Sequence, residues 1–152
     1  LRDKIIFISV GQISKRKNPL SIIQAFKNSE TCNKELVFIG DGELLSKCNK
    51  ITQDSSNITL YGKQSNVLEY LQASDYFISA SYSEGLPNAA IEAMSVGLPV
   101  ILSDISAHQE LFDGPYKFLF DPKNTKKLTI KEKIEIAEKA KKTPDKKKNK
   151  WN

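Results

Sequence analysis

Histidine, methionine and tryptophan each occur once in these 152 residues, and cysteine only twice. One His and two Cys, at positions 32 and 48 with no Cys-x-x-Cys spacing, make no ligand set for structural zinc. Reduced thiols, a cytoplasmic setting and no structural metal are therefore expected. No apolar run is long enough for a bilayer. Residues 5–10 (IIFISV) give way at once to GQISKRK, so neither a signal peptide nor a membrane span fits. With no Met ahead of Leu1, the sequence reads as a soluble domain cut from a longer chain. An evenly basic surface is also missing. The net charge is +5, but Lys123 onward holds 12 lysines against 4 carboxylates, +8, while the first 122 residues hold 11 basic and 14 acidic side chains, −3. A basic face for nucleic acid is thus unsupported, and the terminal excess reads as a solvated helix with a frayed end.

What the sequence does contain is a series of short apolar runs, each closed by Gly or a polar turn. Residues 5–10, 36–39 (LVFI), 57–60 (NITL), 75–79 (DYFIS) and 99–102 (PVIL) read as buried strands. Helical patterns cover 19–28, 43–50, 66–72, 88–96 and 106–111, with Asn18, Asp41 and Ser65 as expected N-caps and Gly97 closing the fourth. This alternation predicts right-handed crossovers and a parallel sheet covered on both faces. The expected architecture is an α/β, Rossmann-like three-layer sandwich over residues 1–122, followed by a Lys-rich helix and tail over 123–152. The helical stretch 131–142 has only a thin apolar side and is expected to dock weakly, or on something outside this sequence. In such sheets ligands bind beyond the carboxyl ends of the strands, at the switch in strand order.

Several familiar signatures fail on inspection. Gly40-Asp41-Gly42-Glu43 is part of G-x-G-x-x-G but follows the second strand, and Gly62-Lys63 lacks the other residues of a P-loop. The stretch 93–97 (AMSVG) has the look of a nucleophile elbow but falls at a helix end. His108, one turn after Asp104, is read as a solvated side chain on a short surface helix rather than as a triad member.

The informative stretch is 79–92 (SASYSEGLPNAAIE). Gly85 would let the backbone approach a ligand, and the N–H groups opening the helix after Pro87 would hold a phosphate or diphosphate. Glu84 would then project from the loop towards the group at one end of the diphosphate, and Glu92 towards the other. Carboxylates suit the vicinal hydroxyls of sugars. Taken singly, Glu84 is a loop residue and Glu92 is favoured early in a helix by its dipole. Lys15, Arg16 and Lys17 after the first strand, on the same sheet edge, shift that balance by offering cations to the same phosphates.

Over residues 4–122 the chain resembles the C-terminal, nucleotide-sugar-binding domain of GT-B fold glycosyltransferases, specifically the retaining group called glycosyltransferase family 4. The resemblance rests on VGQISKRKNP, FIGDGE, ITLYGK, ASDYFISASYSEGLPNAAIEAMSVGLPVILSD and HQEL in order, with the E-x7-E pair Glu84 and Glu92 as the specific part. It implies one half of a GT-B fold. Glu84 would contact hydroxyls of the donor sugar and Glu92 the ribose, with Lys17 on the phosphates; Glu84 and Lys17 would be the catalytic pair. Gly85, Leu86, Pro87 and Asn88 would meet the diphosphate, Gly11 would turn the first loop, and the base would lie near Gly40, Gly62 and Lys63. Where the family commonly has Arg after that glycine this chain has Gln12, and Arg16 is the substitute cation.

The resemblance further implies a nucleoside-diphosphate sugar as substrate, no cofactor and no metal, in keeping with the lack of an Asp-x-Asp motif. Paired carboxylates otherwise suggest a glycoside hydrolase, but here both read as hydroxyl acceptors. The acceptor site would belong to a missing N-terminal domain of the same enzyme, so the chain alone is expected to lack turnover. Bacterial surface polysaccharide synthesis is the implied setting, with peripheral association at the inner membrane surface. Two other readings stand beside it: a non-catalytic nucleotide-sugar binding module, and an interaction module for anionic membrane or nucleic acid acting through the basic tail.

Overall fold

The computed structural model describes residues 4–29, 33–116, 118–123 and 130–142. Among the described residues six strands alternate with six helices: β1 (Ile5–Val10), α1 (Pro19–Asn28), β2 (Lys34–Ile39), α2 (Leu45–Thr52), β3 (Ile58–Leu60), α3 (Val67–Gln72), β4 (Tyr76–Ser79), α4 (Asn88–Ser95), β5 (Val100–Ser103), α5 (Ser106–Gln109), β6 (Leu119–Phe120) and α6 (Ile130–Lys142). All strand pairings are parallel, in the order β3-β2-β1-β4-β5-β6. That is the Rossmann order, and it reverses between β1 and β4.

Successive side chains of a strand point to opposite faces, so a sheet covered on both sides needs apolar residues at every position. Phe7, Leu36, Phe38, Ile78, Ile101 and Phe120 face one layer with Ile22, Ile23 and Phe26 of α1 and Cys48 of α2. Ile8, Ile39, Phe77, Val100 and Leu102 face the other, with Leu71 of α3 and Ala90 and Ala93 of α4. Cys48 is a free, buried thiol whose pKa burial raises; Cys32 lies outside the described residues.

The Lys-rich helix departs from expectation. Ile134 and Ala137 of α6 are fully buried in the same cluster as α1, and the Tyr76 hydroxyl donates to the Ala137 carbonyl at 2.9 Å. Two apolar positions three residues apart, one an isoleucine, suffice to seat the helix over Tyr76, which stacks on Phe7 at 5.3 Å. The stem of Lys133 lies in the packed face as well, 5% exposed, with its ammonium 5.9 Å from the Phe118 ring. Weak docking is thus corrected for the described part of this helix; the tail beyond residue 142 lies outside the described residues.

The expected N-caps hold in part. Asn18 stands at the N-cap position of α1 ahead of Pro19, as expected, but its side chain makes no bond to the helix backbone; its amide oxygen accepts from Ser21 Oγ at 2.7 Å and its amide nitrogen donates to the Ala80 carbonyl at 3.3 Å. Asp41 accepts from the Gly42 N–H at 2.7 Å, and α2 begins later, behind Leu44. The residue before α3 is Asn66 rather than Ser65, again with no side-chain cap. Asn18 is thus shared between Ser21 of α1 and the end of β4, and Asp41 is taken up within its own loop.

Candidate functional site

The switch between β1 and β4 opens a crevice, and the loops after β1 and β4 form its walls. Past their ends, β1, β2 and β3 remain zipped through glycine: Gly11 N–H donates to the Ile39 carbonyl at 3.0 Å, and Gly40 N–H to the Gly62 carbonyl at 2.8 Å. Gly40 sits at φ +142° with its α-carbon so close to the Gly11 carbonyl oxygen that a side chain would collide with it. Gly11, at φ +139°, leaves its open side to the Lys17 side chain, whose Cε lies 3.4 Å from where a β-carbon would stand. An open cleft of about 600 Å³ follows, lined by Gly11, Gln12, Gly40, Asp41, Gly42 and Lys63.

Across the crevice the two loops are tied by charge and backbone. The Tyr82 N–H donates to the Arg16 carbonyl at 2.9 Å, and Arg16 Nη1 donates to the Ser83 carbonyl at 2.8 Å. Glu84 is gripped at its centre: Oε1 accepts from Lys17 Nζ at 2.5 Å and from Ser81 Oγ at 2.7 Å, and Oε2 from Arg16 Nη1 at 3.1 Å. Only 6% of the Glu84 side chain is exposed. Burial alone would raise its pKa, but the hydrogen bonds from Lys17 and Ser81, the Lys17 charge and the Arg16 bond outweigh it and hold the carboxyl below its ordinary value. The group is a fixed anion. Lys17⁺, Arg16⁺ and Glu84⁻ together keep a net charge of +1, and among the described residues Lys17 retains two uncommitted N–H bonds.

Lys17, Arg16, Glu84 and Gly11 are thus brought together at the switch point, with Gln12, Gly40 and Lys63 lining the adjoining cleft. Gly62 supports Gly40 without lining that cleft. Glu84, expected to project from its loop, is held against the first loop by Lys17 and Arg16, while Asn18, in the left-handed region at φ 55°, ties that loop to the end of β4 through the Ala80 carbonyl. Gly85, Leu86 and Asn88 are exposed and Pro87 is buried. A β-carbon on Gly85 would meet open space, leaving the start of α4 accessible. Glu92 stands exposed on α4, apart from the Glu84 cluster, and its bond in the structure is through its carbonyl, which accepts from Ser95.

His108 is the main miss. It is 1% exposed, not solvated, and its Nδ1 lies 2.9 Å from the Ser103 carbonyl rather than on Asp104, which accepts from Gln109. Burial lowers its pKa, with the Ser103 bond and the Glu84 charge opposing, so the ring is neutral. Ser81 and Ser103, both fully buried, were also unremarked. Their signal is the density of serines at the ends of β4 and β5, where buried apolar residues would otherwise stand. Among the described residues no group of His, Cys, Asp and Glu could hold a metal ion, and no helix is long and apolar enough to cross a membrane.

The model of the glycosyl transferases group 1 family matches residues 1–151. The UDP-Gal:alpha-D-GlcNAc-diphosphoundecaprenol alpha-1,3-galactosyltransferase of Escherichia coli is 35% identical over 125 residues, covering 74% of this chain and 32% of the relative. The capsular polysaccharide biosynthesis glycosyltransferase CapH of Staphylococcus aureus is 34% identical over 119 residues, covering 72% and 33%. The chain spans about a third of the length of the curated relatives it matches. Among solved structures, the catalytic domain of cholesterol-alpha-glucosyltransferase from Helicobacter pylori superposes with a TM-score of 0.81 at 24% identity, covering 97% of this chain and 94% of that one. That likeness carries the fold, and the structure neighbours are GT-B glycosyltransferases. With the family match spanning nearly every residue, this chain belongs to the glycosyl transferases group 1.

Proposed function

We propose that the chain is the donor-binding half of a retaining glycosyltransferase, which moves a sugar from a nucleoside-diphosphate sugar to an acceptor in bacterial surface polysaccharide synthesis. The observation that carries this reading is the Lys17–Glu84–Arg16 cluster at the strand-order switch, opening through Gly11 onto the cleft. Breaking the bond between the anomeric carbon and the diphosphate builds negative charge on the leaving phosphate. Lys17 and Arg16 offset that charge through the donors Glu84 leaves uncommitted, and the first N–H groups of α4 add their dipole. Glu84, held as an anion, accepts hydroxyls of the donor sugar, and Glu92 accepts those of the ribose. The base lies towards Gly40, Gly62 and Lys63, and Gly85 to Asn88 border the diphosphate.

The acceptor site belongs to an N-terminal domain of the same enzyme. The chain by itself therefore binds donor without turnover, because domain closure completes the site and excludes water. The group needs no cofactor or metal in this reading, since the cations supply the charge. Relatives named for a diphosphoundecaprenol-linked substrate and for capsule support a lipid-linked acceptor at the cytoplasmic face of the membrane, with the Lys-rich end favouring peripheral association.

Calorimetric titration with UDP, GDP, UDP-glucose, UDP-GlcNAc and GDP-mannose tests the reading. One nucleotide series binds the wild-type chain, and Glu92→Ala abolishes that binding without changing the melting temperature. A folded chain that takes up none of the five overturns it, as does a Glu92→Ala variant that binds normally.

A further inference from the structure

Ser81 and Ser103 are fully buried and His108 is 1% exposed, at the carboxyl ends of β4 and β5. A four-residue helix such as α5 could dock through an apolar side chain, yet its buried residue is His108. The hydrogens in this cluster have one assignment. The Ser103 carbonyl only accepts, so His108 Nδ1, 2.9 Å away, carries a hydrogen. Ser103 Oγ gives its own hydrogen to the Ser81 carbonyl at 2.6 Å, so towards Nδ1, at 3.2 Å, it too accepts. Ser81 Oγ gives its hydrogen to Glu84 Oε1 at 2.7 Å, so Ser79 is the donor in the 3.2 Å contact between the two hydroxyls. The hydrogens of His108, Ser103 and Ser81 therefore all run towards Glu84, with Ser79 a side donor to Ser81.

The other ligands of Glu84 are less able to set its position. Lys17 and Arg16 reach it on long stems, 21% and 44% exposed, whereas Ser81 is short, buried and anchored by Ser103. We propose that His108 is a positioning residue for Glu84: through Ser103 and Ser81 it fixes where the carboxylate stands to receive the hydroxyls of a donor sugar. This rests on the donor-binding reading above and adds to it a residue outside the loops that face the crevice. His108 does not touch the donor. Its loss lets Ser81 turn, and the carboxylate then follows the two cations instead of the sugar.

The test compares the wild-type chain with His108→Ala and His108→Asn, the latter keeping an N–H to give to Ser103. Calorimetry with UDP, UDP-glucose, GDP and GDP-mannose gives the ratio of nucleotide-sugar to nucleotide affinity for the series that binds. In His108→Ala that ratio falls about tenfold while the free nucleotide binds as before, and His108→Asn regains most of it. Equal weakening of nucleotide and nucleotide sugar, no change in either, or no recovery in His108→Asn overturns the proposal. Should the wild-type chain bind none of the four, the donor reading falls, and the titration of the Glu84 carboxyl followed by carbon NMR decides the positioning role. Its midpoint rises in His108→Ala and returns in His108→Asn; a midpoint that stays put overturns the role. If His108→Ala does not fold, Ser103→Ala breaks the same link with a smaller change.

Discussion

Replacing Glu84 by glutamine keeps the shape of the crevice and removes the charge that Lys17 and Arg16 share. Arg16 is 44% exposed, so its pair contributes under about 1 kcal/mol after solvent screening. Lys17 is 21% and Glu84 6% exposed, a setting in which a charge-assisted hydrogen bond contributes about 1.5–3 kcal/mol. An amide is cheaper to bury than a carboxylate, which offsets part of the loss, but its NH2 must face one of the two cations. The net expectation for Glu84→Gln is a destabilisation of about 1–3 kcal/mol at pH 7. For a chain of this length that lowers Tm by about 2–12 °C. Thermal unfolding followed by circular dichroism from pH 7 downwards measures it. The folded-state pKa of Glu84 lies below the ordinary 4.5, so its contribution is complete above that value and is lost as pH falls through the folded-state value. The gap between wild type and variant therefore closes on acidification. Equal Tm at pH 7, or a gap that widens in acid, refutes the account of the cluster.

Three further expectations follow from packing. Gly40→Ala places a side chain on the Gly11 carbonyl at a left-handed φ and costs about 2 kcal/mol or more in urea unfolding; wild-type stability would show that the glycine zipper tolerates a side chain. Ile134→Ala empties a fully buried site between α6 and α1 and costs about 2–4 kcal/mol, against about 0.5 kcal/mol or less if the helix only rests on the surface. The Tyr116 phenol, which burial pushes up to about 12 and which donates to the Val100 carbonyl at 2.8 Å, stays protonated in an ultraviolet titration past the ordinary tyrosine value of 10.0, and the stability it lends is lost as pH rises from 10.0 towards 12. A normal phenol titration would mean that the Tyr116 environment is open to water.

Strand positions were readable because both faces of the sheet are covered, which forces unbroken apolar runs such as those of β1 and β4. The two-residue β6 was missed, since pairing with β5 and not its own sequence makes Leu119–Phe120 a strand. Helix caps misled for a related reason. Asn18 and Asp41 have the right chemistry for a cap, but the end of β4 offers Asn18 a competing carbonyl and the adjacent Gly42 N–H takes up Asp41. The thin apolar side of α6 understated its seat, because pattern counts apolar positions and not the depth of the pocket that receives them.

Sequence alone determined the class of fold and the sheet edge at which the loops carrying Lys17 and Glu84 gather, because alternating runs and loop motifs are local properties of the chain. Tertiary structure decided which of these residues touch. It joined Lys17, Arg16 and Glu84 across 67 and 68 positions, buried His108 behind Ser103 and Ser81, and left Glu92 apart in solvent. A hydrogen bond depends on a few tenths of an ångström between atoms distant in the chain, and only the packing of the two layers sets that distance.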